Sequence, residues 1–176
     1  ALMCMLAPGA QALEREPHHW VRTLESVLEE IARGSDAAQI YLPTLIKTIA
    51  DEIEKTDPKV LLETRNLRAV LIYALSGGDS KVVRRLLGIG QLPPLEEAIA
   101  KGALAYSEGK YSTAAGHLIG IDARSLDAGL ASRVALTQAI LIYKVDSKQA
   151  IALLDLARLL ATGTLIDEAA TRREIV

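Results

Sequence analysis

The stretch from Pro94 to Leu118, PLEEAIAKGALAYSEGKYSTAAGHL, constrains this chain more than any other, because two amphipathic segments flank a tight Glu108-Gly109-Lys110 turn. Apolar residues at helical spacing on both sides of a glycine-bearing turn predict an antiparallel helical hairpin. Gly102, Ala103 and Ala105 are small enough to let a partner helix approach closely. Tyr106 closes the first helix, and Tyr111 opens a second in which Ala114 and Ala115 are expected to face inward.

Composition supports helices elsewhere too. Half of the 176 residues are hydrophobic, yet only 3% are aromatic and Phe is absent, so the core has to be built from Leu, Ile, Val and Ala. That palette favours packed helices over aromatic-rich strands. The length fits one domain able to bury a sizeable core without disulfides. With 20 basic and 22 acidic residues the net charge is −2, which argues against a nucleic-acid footprint or a polybasic membrane patch.

Residues 1–12 stand apart. Ala1 to Ala7 is apolar, Pro8-Gly9 breaks it, and Ala10-Gln11-Ala12 has the small-x-small form of a signal-peptidase site. We read 1–12 as the remnant of a secretory signal peptide and 13–176 as a helical-repeat domain, a fragment of a longer chain; the alternative is an apolar helix docked on the body. Cleavage there would remove Cys4, the single cysteine, which suits an oxidising compartment without requiring one. No run of about 18 apolar residues follows, so no membrane span is expected.

Along the chain, Pro17 sits where a helix commonly begins, and Trp20, Val21, Leu24, Val27, Leu28 and Ile31 share one helical face up to Gly34. Ser35-Asp36 can cap a second helix whose inward set is Leu42, Leu45, Ile46, Ile49 and Ile53, with Pro43 expected to kink it or mark where its regular part begins. Asp57-Pro58 opens the next segment, where a slip in spacing between Leu62 and Leu67 predicts a short turn and a fresh start near Asn66. Ser76-Gly77-Gly78 ends it, Asp79 caps a helix through Val82, Val83, Leu86 and Leu87, and Gly88 is expected to stop that one. Beyond the opening hairpin, a helix over Ala128–Tyr143 and a long one from Asp146-Ser147 to Leu160 are expected, the latter buried on two sides. Thr164 and Asp167 resemble a capping box for a last helix over Leu165–Val176.

Three of these hairpins align on first-helix tyrosines, Tyr73, Tyr106 and Tyr143, separated by 33 and 37 residues. The tetratricopeptide period is about 34. The expected fold is therefore all-α, with degenerate tetratricopeptide-like helical hairpins stacked into a short right-handed solenoid; a plain helical bundle with coincidental spacing is the alternative.

Groups able to carry chemistry are sparse. His18 and His19 are adjacent, so on a helix they point about 100° apart and do not form an i, i+4 metal pair. His117 has apolar neighbours and reads as a packed or rim residue. The acid pairs Glu29-Glu30, Asp51-Glu52, Glu96-Glu97 and Asp167-Glu168 are each local to one helix, as solvated faces and helix starts require. Neither Ser76-Gly77-Gly78-Asp79 nor Gly88-Ile89-Gly90 follows a strand, so no phosphate cradle is expected. No catalytic residue, metal site or cofactor is assigned. Arg65, Arg68, Arg84 and Arg85 could form a basic, partner-facing ridge.

The stretches Gln149–Glu174 (QAIALLDLARLLATGTLIDEAATRRE), Ala69–Leu87 (AVLIYALSGGDSKVVRRLL) and Gly102–Tyr111 (GALAYSEGKY) resemble the MotC family of exported motility proteins of rhizobia and their relatives. Thr162 departs from the family form, which tends to have proline before Gly163-Thr164 while keeping the helix stop. The resemblance implies a periplasmic, non-enzymatic protein that associates with the periplasmic part of the stator protein MotB and supports torque generation by the flagellar motor. It places no functional motif on particular residues. Two other readings of an exported helical domain stay open: the helical scaffold of a peptidoglycan lytic transglycosylase, and a general periplasmic assembly adaptor.

Overall fold

The helix spanning Thr64–Leu75 has almost no face left for water, and the other helices are arranged around it. In the computed structural model, which describes residues 18–162, these residues form nine α-helices and one 3₁₀ turn with no strand. In chain order the helices are α1 (His19–Ala32), α2 (Asp36–Lys55), α3 (Pro58–Leu61), α4 (Thr64–Leu75), α5 (Ser80–Gly88), α6 (Pro94–Ser107), α7 (Tyr111–Leu118), α8 (Ala128–Ile142) and α9 (Ser147–Thr162), with the 3₁₀ turn at Ala123–Ser125. The signal remnant expected at 1–12, Pro17 and the capped helix expected over Leu165–Val176 lie outside the described residues.

α4 packs against α1, α3, α5, α6 and α8. Leu67 and every residue from Ala69 to Ala74 are buried. Tyr73 is the largest side chain among them and is wholly buried, so its hydroxyl has to find a partner; it accepts a hydrogen bond of 2.8 Å from the Asp79 amide. Burial pushes the Tyr73 phenol above its ordinary value, partly offset by that backbone bond. Gly78 makes room for the ring: a Cβ there would lie 2.3 Å from Tyr73 Cε1.

Most helix ends follow the sequence signals. Ser35 accepts from the Ala38 amide to start α2, Asp57 from Lys59 to start α3, and Asp79 from Lys81 to start α5. α2 continues through Pro43, which lies on the exposed side, where water can serve the carbonyl that proline leaves without a partner. The slip between Leu62 and Leu67 is the break between α3 and α4, closed by buried Asn66, whose amide donates to the Val60 carbonyl at 2.9 Å. α6 ends with Gly109 at φ +73, so that the Lys110 amide returns to the Ala105 carbonyl at 2.8 Å and the Gly109 amide to Tyr106 at 3.0 Å. That backbone conformation strains any residue with a side chain.

The opening hairpin forms as the small residues require. Gly102 lies against fully buried Leu118, where a Cβ would come within 2.4 Å of Leu118 Cγ, and Ala103, Ala105 and Ala114 are buried with Ala115 half-buried. α7 then packs on α8, and buried Gln138 of α8 ties the joint by donating to the Leu118 and Ile121 carbonyls at 2.7 and 2.8 Å. Gly129 brings α8 onto Ile72 of α4, and the Ser132 hydroxyl donates to the Ala157 carbonyl of α9 at 3.0 Å.

One expectation needs correction: α9 packs on α8 and α1 and is buried at Ala150 and Ala157, but Ile151 and Leu159 are more than half exposed. Of the three aligned tyrosines, Tyr73 is buried, Tyr106 half-buried and Tyr143 exposed just past the end of α8. α5 ends at Gly88 as expected, and the positive φ falls two residues on, at Gly90.

Arg85 joins two ends of the fold. Its guanidinium donates to the carbonyls of Ile53, Glu54 and Thr56 at 3.1, 2.6 and 2.9 Å, capping the C-terminus of α2 from α5. A cation suits that end of the helix dipole. Replacing it by alanine removes all three bonds, and Arg85→Ala is expected to cost about 2 kcal/mol in urea unfolding, with Arg85→Lys recovering only part because an ammonium cannot span all three acceptors. Gly102→Ala is expected to lower stability by about 1–3 kcal/mol despite the better helix propensity of alanine. In a Leu118→Ala background the same change should become neutral or stabilising, since the clashing side chain is gone.

Candidate interaction surface

The four arginines of the expected ridge are held by four different partners. Arg65 grips Glu25 of α1 with Nε to Oε1 at 3.2 Å and Nη2 to Oε2 at 2.6 Å, a two-pronged bond across α1 and α4. Arg68 reaches Asp127 at 2.6 Å, at the start of α8. Arg84 pairs with Glu108 at the end of α6, and Arg85 caps α2 as described. Sequence adjacency concealed this division, because neighbouring helix positions point to different elements.

The histidines are equally dispersed. His18 immediately precedes α1 and His19 begins it, both exposed, while His117 is half-buried in α7. Among the described residues no three or more His, Cys, Asp or Glu side chains gather as metal ligands would. Glu29 and Glu30 pair with Arg33 one turn on, and Glu97 pairs with Lys101 at 2.6 Å. Asp51 and Glu52 are exposed, and Asp167-Glu168 lies outside the described residues. Of the glycines in Ser76-Gly77-Gly78-Asp79, Gly78 makes room for Tyr73 and Gly77 turns the chain at φ +87.

What the surface does offer is a polar and aromatic cluster at the α6–α7 turn. Tyr106 and Tyr111 meet edge to face with centroids 5.5 Å apart, the first half-buried and the second 59% exposed. Beside them Glu108 receives hydrogen bonds from Lys110 and from Arg84, which together hold its carboxyl below the usual glutamate range. The amphipathic rings combine contact area with a polar tip, as interface residues commonly do. The sequence marked Tyr106 and Tyr111 as hairpin residues; that Arg84 of α5 would complete the cluster was visible only once α5 was seen to pack on α6.

No described helix is long and apolar enough to cross a membrane. Comparison with known proteins agrees on one family. The family model described as chemotaxis protein MotC matches residues 1–176. A relative, chemotaxis protein MotC of Rhizobium meliloti (strain 1021), is 24% identical over 162 residues, covering 92% of this chain and 37% of its own length. No solved structure matches. On the match of the family model over the whole chain, this protein belongs to the chemotaxis protein MotC family.

Proposed function

We propose that this chain is a non-enzymatic, exported protein-interaction domain that acts in the periplasm, binds the periplasmic part of the stator protein MotB and supports torque by the flagellar motor. The observation that carries the reading is membership of a motility family over residues 1–176. The apolar stretch and Ala10-Gln11-Ala12 at the start of the sequence support export.

Within this reading α4–α5, α6–α7 and α8–α9 are degenerate tetratricopeptide-like units of a short right-handed solenoid. Packing of α5 on α6 and of α7 on α8 supports such stacking, while the contact of α4 with α8 curls it more tightly than nearest-neighbour packing alone. The partner-facing surface is the α6–α7 turn, where Tyr111 is the anchor and Arg84 is the part of the arginine ridge that belongs to the site.

Binding of the mature protein to the periplasmic portion of MotB tests the assignment. Tyr111→Ala is expected to weaken it by about 1–2 kcal/mol. Absence of binding, also with a longer form of the protein, would remove the stator partner. A deletion strain should build filaments yet fail to swim; loss of filaments would instead point to an assembly role. Glu108→Gln should lower the melting temperature near neutral pH. Because the folded-state value is depressed, the stabilisation from Glu108 is present above the unfolded carboxyl value and is lost as pH falls through the folded one. The difference between parent and variant should therefore vanish in that acid range.

A further inference from the structure

Three helices converge at the α6–α7 turn, and the charges they bring there do not balance. Arg68 with Asp127 and Lys101 with Glu97 each match one cation to one acid. At the turn two cations share a single carboxylate: Arg84 of α5 donates to Oε1 of Glu108, and Lys110 meets Oε2 at 2.9 Å. The Glu108 side chain is 22% exposed, against 57% for Arg84 and 64% for Lys110, so the acid is the enclosed member and the cations face the solvent. A guanidinium and an ammonium have several N–H donors each, and Glu108 occupies one of each. The turn therefore presents outward a net positive charge with donors to spare, beside the exposed ring of Tyr111 braced edge to face by Tyr106.

Resting on the reading of this turn as the partner-facing surface, we propose that it docks an acidic segment of the protein partner, and that Glu108 competes with that segment for Arg84 and Lys110. A carboxylate arriving from outside meets donors already held in place, because Arg84 is fixed on α5, Lys110 and Tyr111 follow the α6 turn, and α5 packs on α6. An arginine fork takes a carboxylate in two parallel bonds, a mode that its single bond to Glu108 leaves open. A proline or aliphatic residue next to that carboxylate then lies on the Tyr111 ring, which gives the contact its apolar area. Nucleic acid and anionic lipid also carry negative charge, but a net charge of −2 with no basic run longer than a pair offers them no extended footprint. A short acidic segment needs only these two cations and the ring.

Binding of the 176-residue chain to two probes tests this. One is the periplasmic portion of MotB; the other is a short labelled peptide of alternating glutamate and proline, with a lysine–proline peptide as control. The glutamate–proline peptide should bind and the lysine–proline peptide should not. Arg84→Gln is expected to weaken both interactions about five-fold and Lys110→Gln about three-fold. Lys101→Gln removes a cation that has an acid of its own and should leave them unchanged. Glu108→Gln should tighten both about three-fold although it lowers the melting temperature, a pair of opposite effects that a purely structural role for Glu108 does not produce. Peptide binding with this pattern and no binding of MotB keeps the acidic docking site and removes the stator partner. MotB binding that weakens with Tyr111→Ala but ignores Arg84→Gln and Glu108→Gln keeps the turn as the contact surface and overturns the acidic partner. The proposal is equally overturned if the glutamate–proline peptide fails to bind, if the lysine–proline peptide binds as well, or if Glu108→Gln weakens binding.

Discussion

The fold depends on burying one helix from several sides. From Leu67 to Ala74 only Arg68 retains partial exposure, and the surrounding helices come from before and after α4 in the chain. A helix enclosed in this way cannot carry a polar residue without a specific answer to it. The Asn66 amide N–H at its start, the Tyr73 hydroxyl near its end and Arg68 on its one open edge are answered by the Val60 carbonyl, the Asp79 amide and the Asp127 carboxylate, while the Asn66 Oδ1 stays buried without a partner among the described residues. Each answer comes from a different neighbouring segment, so satisfying α4 also fixes where those segments lie.

The same economy explains why the arginines do not form a free positive face. Arg65, Arg68 and Arg84 each link two helices through carboxylates, and Arg85 links two through carbonyls. The first three pairs are partly exposed and contribute modestly to stability, roughly 0–1 kcal/mol each. Arg85 holds a helix terminus whose acceptors are partly buried, and its contribution is correspondingly larger. Three ion pairs join neighbouring helices, and the α6–α7 turn is where one of them lies next to exposed aromatic surface.

Local signals were legible in the sequence to within a residue or two at most helix boundaries. Ser35, Asp57, Asp79 and Gly109 act through their own backbone neighbourhood, which a sequence displays directly. The inward set of α2 was legible for the same reason, since one periodic face has one packing solution. The exposed residues of α9 were misread because an apolar residue shows only a tendency to be buried; what covers it depends on elements far away in the chain. The spacing of the three tyrosines gave hairpin order but could not distinguish an enclosed position from one at an open end. The candidate site was half legible: Tyr106, Glu108 and Tyr111 are sequence neighbours, whereas Arg84 arrives from a separate hairpin.

Gln138 sets a different kind of boundary condition. It clasps the Leu118 and Ile121 carbonyls with a neutral amide, deep between α7 and α8. An uncharged clasp does not loosen when ionic strength rises or when carboxylates gain protons, in contrast to the Arg84–Glu108 contact on the other side of the same hairpin. The α6–α7 unit is therefore attached to its two neighbours by joints that respond differently to the medium. Raised salt or acidity acts on the Arg84–Glu108 contact and leaves the Gln138 clasp untouched.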